Sequence, residues 1–261
     1  MITWRFIPLS TNNAAMNMAI DEAILQARAA DKVPNTLRLY RWQPSAVTVG
    51  RNQNPEEQVY LENAEKLGVD VVRRLSGGGT VYHDYEGEVT YAIIARTADL
   101  GNADVTTVYN KIYICVKDGL RIMGTGSDFS AGDAKNCPNL TINDKKISGS
   151  SQTITRGVVL QHGTLLRRVD YERMFQLLQL KGASCSQAAD IAKEKITSIE
   201  AELGHRISLD TVASALQQGF RIMLKAQMEE GELTTEEKEL AAKLYKEKYQ
   251  TKEWNLSGKT A

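Results

Sequence analysis

The residues best suited to chemistry lie in a glycine-rich segment of this 261-residue chain. The segment contains Arg73, Arg74, Ser76, Gly77, Gly78 and Gly79, and His83 follows it. Successive glycine N–H groups can close on an anionic oxygen, and an arginine can bind a phosphate or carboxylate through two N–H groups. No Gly-Lys-Ser/Thr follows, and a strand is predicted next, which excludes P-loops and dinucleotide fingerprints. The glycines alone favour a tight hairpin, but the arginines and His83 favour an anion site.

A second candidate is the lysine pair Lys145 and Lys146, which follows a predicted Asn-Asp turn and precedes Gly149 and Ser150. A lysine beside an activated carboxyl group can neutralise the charge that develops as the leaving group departs. Alternation along a strand predicts that Lys146 and Ser148 share one face. The alternative is a solvated hairpin tip, which these residues alone slightly favour.

A third candidate lies on the predicted strand 158–166, where alternation places His162 and Thr164 in phase with Leu160. A lone histidine on such a strand is more often a hydrogen-bonded core residue than a catalyst. Gly163 beside it indicates the close approach of a ligand or of another backbone.

Hydrophobic patterning predicts an α+β scaffold for these groups. Strands are predicted over 4–8, 37–40, 46–49, 69–74, 80–83, 89–95, 140–142, 146–148 and 158–166. Helices are predicted over 14–29, 55–67, 105–123, 171–180, 187–203, 209–227 and 236–249. We expect an α/β catalytic core over 1–180, and a helical C-terminal portion of the same domain over 181–261. Asn12 or Asn13 is the predicted cap of the first helix.

Charge and cysteine content narrow the class of protein. Lys+Arg and Asp+Glu both number 32, so the chain has no overall basic field that would hold nucleic acid. No apolar run approaches the ~20 residues that cross a bilayer, and the N-terminus lacks the layout of a secretory signal. Cys115, Cys137 and Cys185 lie far apart, which disfavours a disulfide framework or a CxxC zinc site. We expect a cytoplasmic protein with no nucleic-acid or membrane partner.

Taken together, these segments resemble the lipoate–protein ligase A family, and within it the archaeal-type catalytic subunit. The matching segments, in family order, are 17–23, 50–55, 73–84, 146–150, 161–164 and 249–255. The family belongs to the biotin/lipoate A/B protein ligase superfamily, which also contains octanoyl transferases. The resemblance implies its class II ligase fold, a mixed and largely antiparallel sheet with flanking helices.

The resemblance also implies roles for individual residues. Arg74 and the three glycines would hold an acyl-adenylate, with Lys146 at its carboxyl and phosphate groups. Gln53 and His83 would lie near the lipoyl tail or the loop base, and His162 near the acyl group. The further implied members of the binding site are Arg73, Ser76, Gly149, Ser150 and Thr164.

The activity implied by the resemblance is ATP-dependent. Family members make lipoyl-AMP from lipoate and Mg-ATP, and then acylate a lysine of a lipoyl-carrier domain. That carrier is an E2 subunit of a dehydrogenase complex or the glycine-cleavage H protein. No accessory domain follows residue 255, so we expect a separate small accessory subunit to be needed for full activity.

Two departures from the family pattern leave alternatives open. Asn139 stands where many ligases carry an aspartate that helps to hold Mg²⁺, so the metal ligands stay unassigned. Cys137 permits a second hypothesis, because some related octanoyltransferases use a cysteine in this region as an acyl nucleophile without ATP. Their cysteine lies several residues further from the lysine hairpin, and the intact glycine run favours the ligase. A non-catalytic module that binds lipoyl-AMP or a biotin-like ligand is the third hypothesis.

Overall fold

The computed structural model describes residues 3–101, 104–130 and 138–259. The strands β1 to β11 span Thr3–Asn12, Thr36–Trp42, Ala46–Val49, Asp70–Arg73, Val81–His83, Glu88–Arg96, Asp128–Ser130, Asn139–Ile142, Lys145–Thr155, Val158–Leu166 and Gln227–Glu230. The helices α1 to α8 span Ala14–Ala29, Leu61–Lys66, Val105–Ile122, Tyr171–Leu177, Cys185–Lys195, Ile199–Leu203, Leu209–Met223 and Thr235–Leu244. Short 3₁₀ turns cover Pro55–Glu57 and Thr97–Leu100, and π-helical turns cover Tyr245–Tyr249 and Glu253–Ser257.

The described strands form two sheets. The larger one has the order β11-β1-β2-β6-β10-β9-β8-β7, and the smaller one has the order β4-β3-β5. In the larger sheet β1 pairs in parallel with β2 and β11, whereas the other neighbours are antiparallel. The predicted α+β class with a mixed, largely antiparallel sheet is confirmed.

Helices cover both faces of the larger sheet. Helices α3 and α7 pack on one face, where a Cβ atom on Gly219 would lie 2.3 Å from the Cys115 carbonyl oxygen. Helix α1 packs on the other face beside α8 and Trp254. The α1 N-terminus is capped by Asn13, whose side chain accepts from the Met16 N–H, so Asn13 is the cap of the two that were predicted.

Tertiary pairing explains where the predicted helices end early. Predicted helix 55–67 is interrupted because the Tyr60 N–H donates to the Leu177 carbonyl. Predicted helix 187–203 divides at Ile196, which forms a β-bridge with Lys146. Predicted helix 209–227 stops at Met223, since Gln227–Glu230 joins the edge strand β1.

Residues after 180 pack directly on the earlier strands. Helix α7 contacts β6 and β1, and α8 contacts α1. These contacts support the proposal that 181–261 is part of the catalytic domain, although β11 means that it is not wholly helical. None of the helices in the described ranges is long and apolar enough to cross a membrane.

Candidate active site

A cavity of about 310 Å³ is lined by residues of both sheets, α1 and α4. Its floor is a row of residues that pair across five neighbouring strands of the larger sheet. This cavity row consists of Tyr40, Thr90, Thr164, Gly149 and Asn139. It covers four inter-strand spacings, or about 19 Å. The row runs from the fully buried Tyr40 to the half-buried Asn139, so the cavity can hold an extended chain with one end exposed.

Apolar side chains that no sequence motif marks line the cavity beside this row. They are Met18, Trp42, Leu166, Met174, Phe175 and Leu178. Apolar residues that pack in a core have the same periodicity as those that line an acyl cavity, so the sequence carried no signal for them. The composition of the wall fits an apolar ligand tail.

Lys146 reaches the open end of the cavity by extending across Gly149. A Cβ atom on Gly149 would lie 2.6 Å from both Cε and Nζ of Lys146, so only glycine leaves this path clear. The predicted shared face of Lys146 and Ser148 is wrong. The pairing between β8 and β9 shifts after Lys146, and this bulge puts Ile147 and Ser148 together in the core.

Replacing Gly149 with alanine should therefore displace the Lys146 ammonium without unfolding the protein. The clashing atoms belong to the flexible end of a lysine, so the side chain moves and the strand stays. We expect about a tenfold or greater loss of turnover from the misplaced charge, with an unchanged melting temperature. Parallel kinetic and thermal measurements check this, and Gly126→Ala, where a Cβ meets no atom within 4 Å, is the control. Full activity in Gly149→Ala would contradict the placement of Lys146.

Arg74 organises the glycine loop at the cavity. Its Nη2 donates to the carbonyl oxygens of Gly77 and Gly79 at 2.8 and 2.9 Å. Its Nη1 donates to the backbone and hydroxyl oxygens of Thr48 at 3.0 and 2.7 Å. Arg74, Gly78 and Gly79 line the cavity, whereas Gly77 lies just outside its lining. The predicted loop and the cavity thus meet at Arg74.

Arg73 points away from the cavity and is enclosed by main chain. Its guanidinium donates to six carbonyl oxygens at 2.7 to 3.2 Å. The acceptors belong to Gly50, Arg51, Gln53, Trp254, Asn255 and Leu256. Arg73 therefore joins the loop after β3 to the C-terminal segment, and its predicted role in anion binding stays a prediction.

His162 lies in a buried hydrogen-bonded chain that also includes Ser76. Its Nδ1 is 3.1 Å from Oδ2 of Asp21, and its Nε2 is 2.6 Å from Oγ of Ser76. Ser76 Oγ is in turn 2.7 Å from Oγ of Ser151. His162 and Ser151 both line the cavity, and the role of His162 near an acyl group stays a prediction. Ser76 is fully buried and faces this chain of side chains rather than an anion.

Burial lowers the pKa of His162 below its ordinary value of 6.5, outweighing the hydrogen bond with Asp21 that raises it. At a pH between the lowered pKa of His162 in the folded protein and the ordinary value of 6.5, the unfolded chain binds more protons than the folded one. We therefore expect the free energy of unfolding to fall as pH drops below 6.5. Urea denaturation at pH 7.5 and 5.5 tests this. The free energy of unfolding of His162→Gln should change less between these two pH values than that of the wild type. A wild-type stability that rises towards pH 5.5 would contradict a neutral His162.

His83 occupies the opposite wall, in a second buried network. Its Nδ1 is 2.7 Å from Oε1 of Glu88, its Nε2 is 2.9 Å from Oγ1 of Thr48, and its ring stacks on Trp42 at 4.1 Å. The same Thr48 hydroxyl accepts from Nη1 of Arg74, so His83 and Arg74 share one partner. His83 also lines the cavity, next to Trp42 and Thr48.

The remaining predicted residues are divided between the cavity and its surroundings. Gln53 lies at the base of the glycine loop, where its Oε1 accepts from the Gly50 N–H and the Thr80 hydroxyl. Ser150 lines the cavity, but its hydroxyl donates to Tyr113 and accepts from Gln161. Cys137 lies outside the described residues.

The described part of the cavity lining leaves the ligands of Mg²⁺ unassigned. Mg²⁺ prefers carboxylate and phosphate oxygens, and the described residues that line the cavity include no aspartate or glutamate. A side-chain oxygen close to Gly149 is Oδ1 of Asn139, which would lie 3.7 Å from a Cβ atom on Gly149.

The sequence matches the family model of the lipoyl protein ligase A/B catalytic domain over residues 13–221. Similar curated proteins are named octanoyltransferase LipM. The one from Kyrpidia tusciae is 35% identical over 98% of this chain and 99% of that protein. The one from Brevibacillus brevis is 33% identical over 98% of this chain and 99% of that protein. The one from Bacillus subtilis is 31% identical over 97% of this chain and 98% of that protein.

Solved structures give the same assignment. A bi-partite lipoate protein ligase from Thermoplasma acidophilum has a TM-score of 0.85 and 27% identity, covering 100% of this chain and 98% of that chain. A lipoate-protein ligase A bound with ATP has a TM-score of 0.84 and 27% identity, and the match covers 98% of this chain and 99% of that chain. The chain therefore belongs to the lipoyl protein ligase A/B catalytic domain family and is an enzyme of the superfamily that contains lipoate ligases and octanoyltransferases.

Proposed function

We propose that the enzyme transfers an octanoyl group from a carrier-protein thioester to the ε-amine of a lysine on a lipoyl-carrier domain, without ATP. The observation that carries the proposal is the Lys146 ammonium, which lies over Gly149 at the open end of the cavity row. An acyl chain along the row brings its carbonyl group to Lys146 and its apolar end towards Trp42. The near full-length similarity to proteins named octanoyltransferase supports octanoyl as the transferred group.

The transfer proceeds in two steps of the same kind. The Cys137 thiolate attacks the thioester carbonyl, a new C–S bond forms, and the donor thiolate leaves and takes up a proton. The neutral lysine amine of the carrier domain then attacks the acyl-enzyme, so that a C–N bond forms and the Cys137 thiolate leaves. In both tetrahedral intermediates the Lys146 ammonium stabilises the oxyanion. Cys137 precedes Asn139 of the cavity row by two positions in the chain.

The Cys137 role predicts a covalent intermediate. Incubation with octanoyl-carrier thioester, in the absence of a lipoyl domain, should add one octanoyl group to the protein, observed as an intact-mass shift. Cys137→Ser should abolish this adduct, because an alcohol is a far weaker nucleophile than a thiolate at neutral pH. Cys185→Ser is the matched control, since Cys185 is exposed and far along the chain from the lysine hairpin. An adduct that persists in Cys137→Ser would remove this residue from the mechanism.

An ATP-dependent lipoate ligase is the second candidate function. The intact Gly77–Gly79 loop, held by Arg74 at the cavity, favours it, as does the similarity to a ligase bound with ATP. It predicts lipoate-dependent exchange of pyrophosphate into ATP, which thioester transfer does not. Because one similar ligase is bi-partite, that assay should also be run with any small accessory subunit present.

The proposed acceptor is a lipoyl domain, from the E2 subunit of a dehydrogenase complex or from the glycine-cleavage H protein. The half-buried Asn139 and Lys146 leave one end of the cavity row accessible to a lysine from another protein. A similar bi-partite ligase is described together with its E2 lipoyl domain. Acylation assays with each of the two carriers identify the preferred acceptor.

A further inference from the structure

A continuous chain of hydrogen bonds leads from the cavity into the protein. None of its side chains takes part in the two proposed transfer steps. It starts at Ser151 in the cavity wall and passes to Ser76 at 2.7 Å and to Nε2 of His162 at 2.6 Å. It ends at Asp21, whose Oδ2 is 3.1 Å from Nδ1 of His162. The four side chains come from β9, the loop after β4, β10 and α1, so the fold assembles them from separate segments.

The donors and acceptors of this chain can be ordered. Arg38 donates to Oδ1 of Asp21 at 2.6 Å, and this charge favours a carboxylate there. His162 therefore donates its Nδ1 proton to Asp21 and accepts at Nε2. Ser76 must donate to that Nε2, so its oxygen accepts from Ser151. Every proton in the chain then points inward, from the cavity towards Asp21.

This order permits inward proton transfer. When Ser151 takes up a proton from the cavity, it donates its own proton to Ser76. Ser76 in turn donates its proton to Nε2 of His162, which acts as the base. The imidazolium that results lies against the Asp21 carboxylate, which stabilises it as in other histidine–carboxylate pairs. Burial keeps the pKa of His162 low, so the ring is neutral and able to accept at neutral pH.

The groups around His162 have opposing effects on the stability of its imidazolium form. Asp21, Arg74 and His83 act on the ring electrostatically, and Arg38 and Tyr40 donate hydrogen bonds to Asp21. Asp21 favours the imidazolium, whereas Arg74 and His83 oppose it. Tyr40 donates to the same Asp21 oxygen at 2.9 Å and fixes the carboxylate beside the ring. A ring held between opposing influences can take up a proton and release it again.

The hydrogen-bonded chain opens into the cavity at Ser151, on the side where the proposed transfer releases a proton. Ser151 is two residues from Gly149 on the same face of β9, and Gly149 supports Lys146. We propose that Ser151, Ser76 and His162 form a proton relay that removes the proton of the attacking carrier lysine, with Asp21 as a positioning residue. The amine N–H bond breaks as the C–N bond forms, the relay takes up that proton, and the departing thiolate is protonated as the relay returns to its neutral state. This inference rests on the proposed acyl transfer to an amine.

The relay is tested with the variants Ser151→Ala, Ser151→Thr and Ser76→Ala. For each variant, the rate at which a lipoyl domain is acylated is measured in a single turnover. We expect Ser151→Ala to slow the amine step by about a hundredfold, the usual size of an acid–base contribution, with acyl-enzyme formation unchanged. Ser151→Thr keeps a hydroxyl and should recover most of the rate. Since the serines act in series, the double alanine variant should be no slower than either single one. Thr153→Ala, further along β9, is the control.

A structural role would give a different pattern. Equal loss of both half-reactions, no recovery in Ser151→Thr, or additive losses in the double variant would overturn the relay. The amine step is measured from two donors, the octanoyl-carrier thioester and preformed octanoyl-AMP. Turnover from octanoyl-AMP alone would contradict the thioester proposal while still testing the relay. A wild-type rate in Ser151→Ala with a reactive donor would contradict the relay itself.

Discussion

Replacing Lys146 with alanine is expected to slow acyl transfer by about a hundredfold to a thousandfold, the loss seen when one oxyanion-stabilising group is removed. The ammonium lies over Gly149 at the open end of the cavity row, where the reacting carbonyl group must lie for the lysine of a carrier to reach it. The side chain is half-buried at the edge of the cavity, so the free energy of unfolding should change by less than about 1 kcal/mol. Single-turnover kinetics and urea denaturation measure the two effects.

Lys145 provides a matched control for this variant. It is the adjacent lysine of the same hairpin, and its Nζ donates to the Lys193 carbonyl, away from the cavity. Lys145→Ala should transfer acyl groups at close to the wild-type rate. If the two alanine variants lost activity equally, the effect would come from the hairpin and not from the Lys146 charge.

Removing the Arg73 guanidinium should lower the free energy of unfolding by about 3 kcal/mol or more. Arg73→Met fills a similar volume but leaves six carbonyl oxygens without their donor in a buried environment, and each such group costs about 1–3 kcal/mol. Arg73→Lys should recover little of this, since an ammonium has three donors and lacks the planar fork. Chemical denaturation of both variants measures the loss.

Arg51 allows the size of this effect to be judged. It donates to one carbonyl, that of Gly258, at 2.6 Å and lies over the Trp254 ring. Arg51→Met should cost about 1 kcal/mol, the net value of a single hydrogen bond. A loss in Arg73→Met no greater than in Arg51→Met would mean that the C-terminal segment is held mainly by packing.

The strands around the cavity could be predicted because their alternation is regular. Val158–Leu166 was predicted with the bounds that the structure has, and its alternation correctly placed His162 and Thr164 on one face. Strand β9 could not be predicted in the same way. Its bulge at Ile147 reverses the alternation, and no residue type in the sequence marks that extra residue.

The two arginines show why site residues are harder to predict than strands. Arg73 and Arg74 are neighbours of the same type, so their side chains point to opposite sides and only one can reach the cavity. The choice depends on the C-terminal segment around Trp254, which is 181 residues away in the chain and surrounds Arg73. Asp21 was likewise unassigned, because its contact with His162 joins residues 141 positions apart.

The most direct test of the account is the choice of acyl donor. The purified enzyme is incubated with octanoyl-carrier-protein thioester and an unmodified lipoyl domain, with ATP omitted and a metal chelator present, and the lipoyl domain is analysed by intact mass. We predict an octanoylated lysine at a rate that added ATP does not change. Acylation that appears only with free octanoate or lipoate, ATP and Mg²⁺ would contradict the account and establish an adenylating ligase.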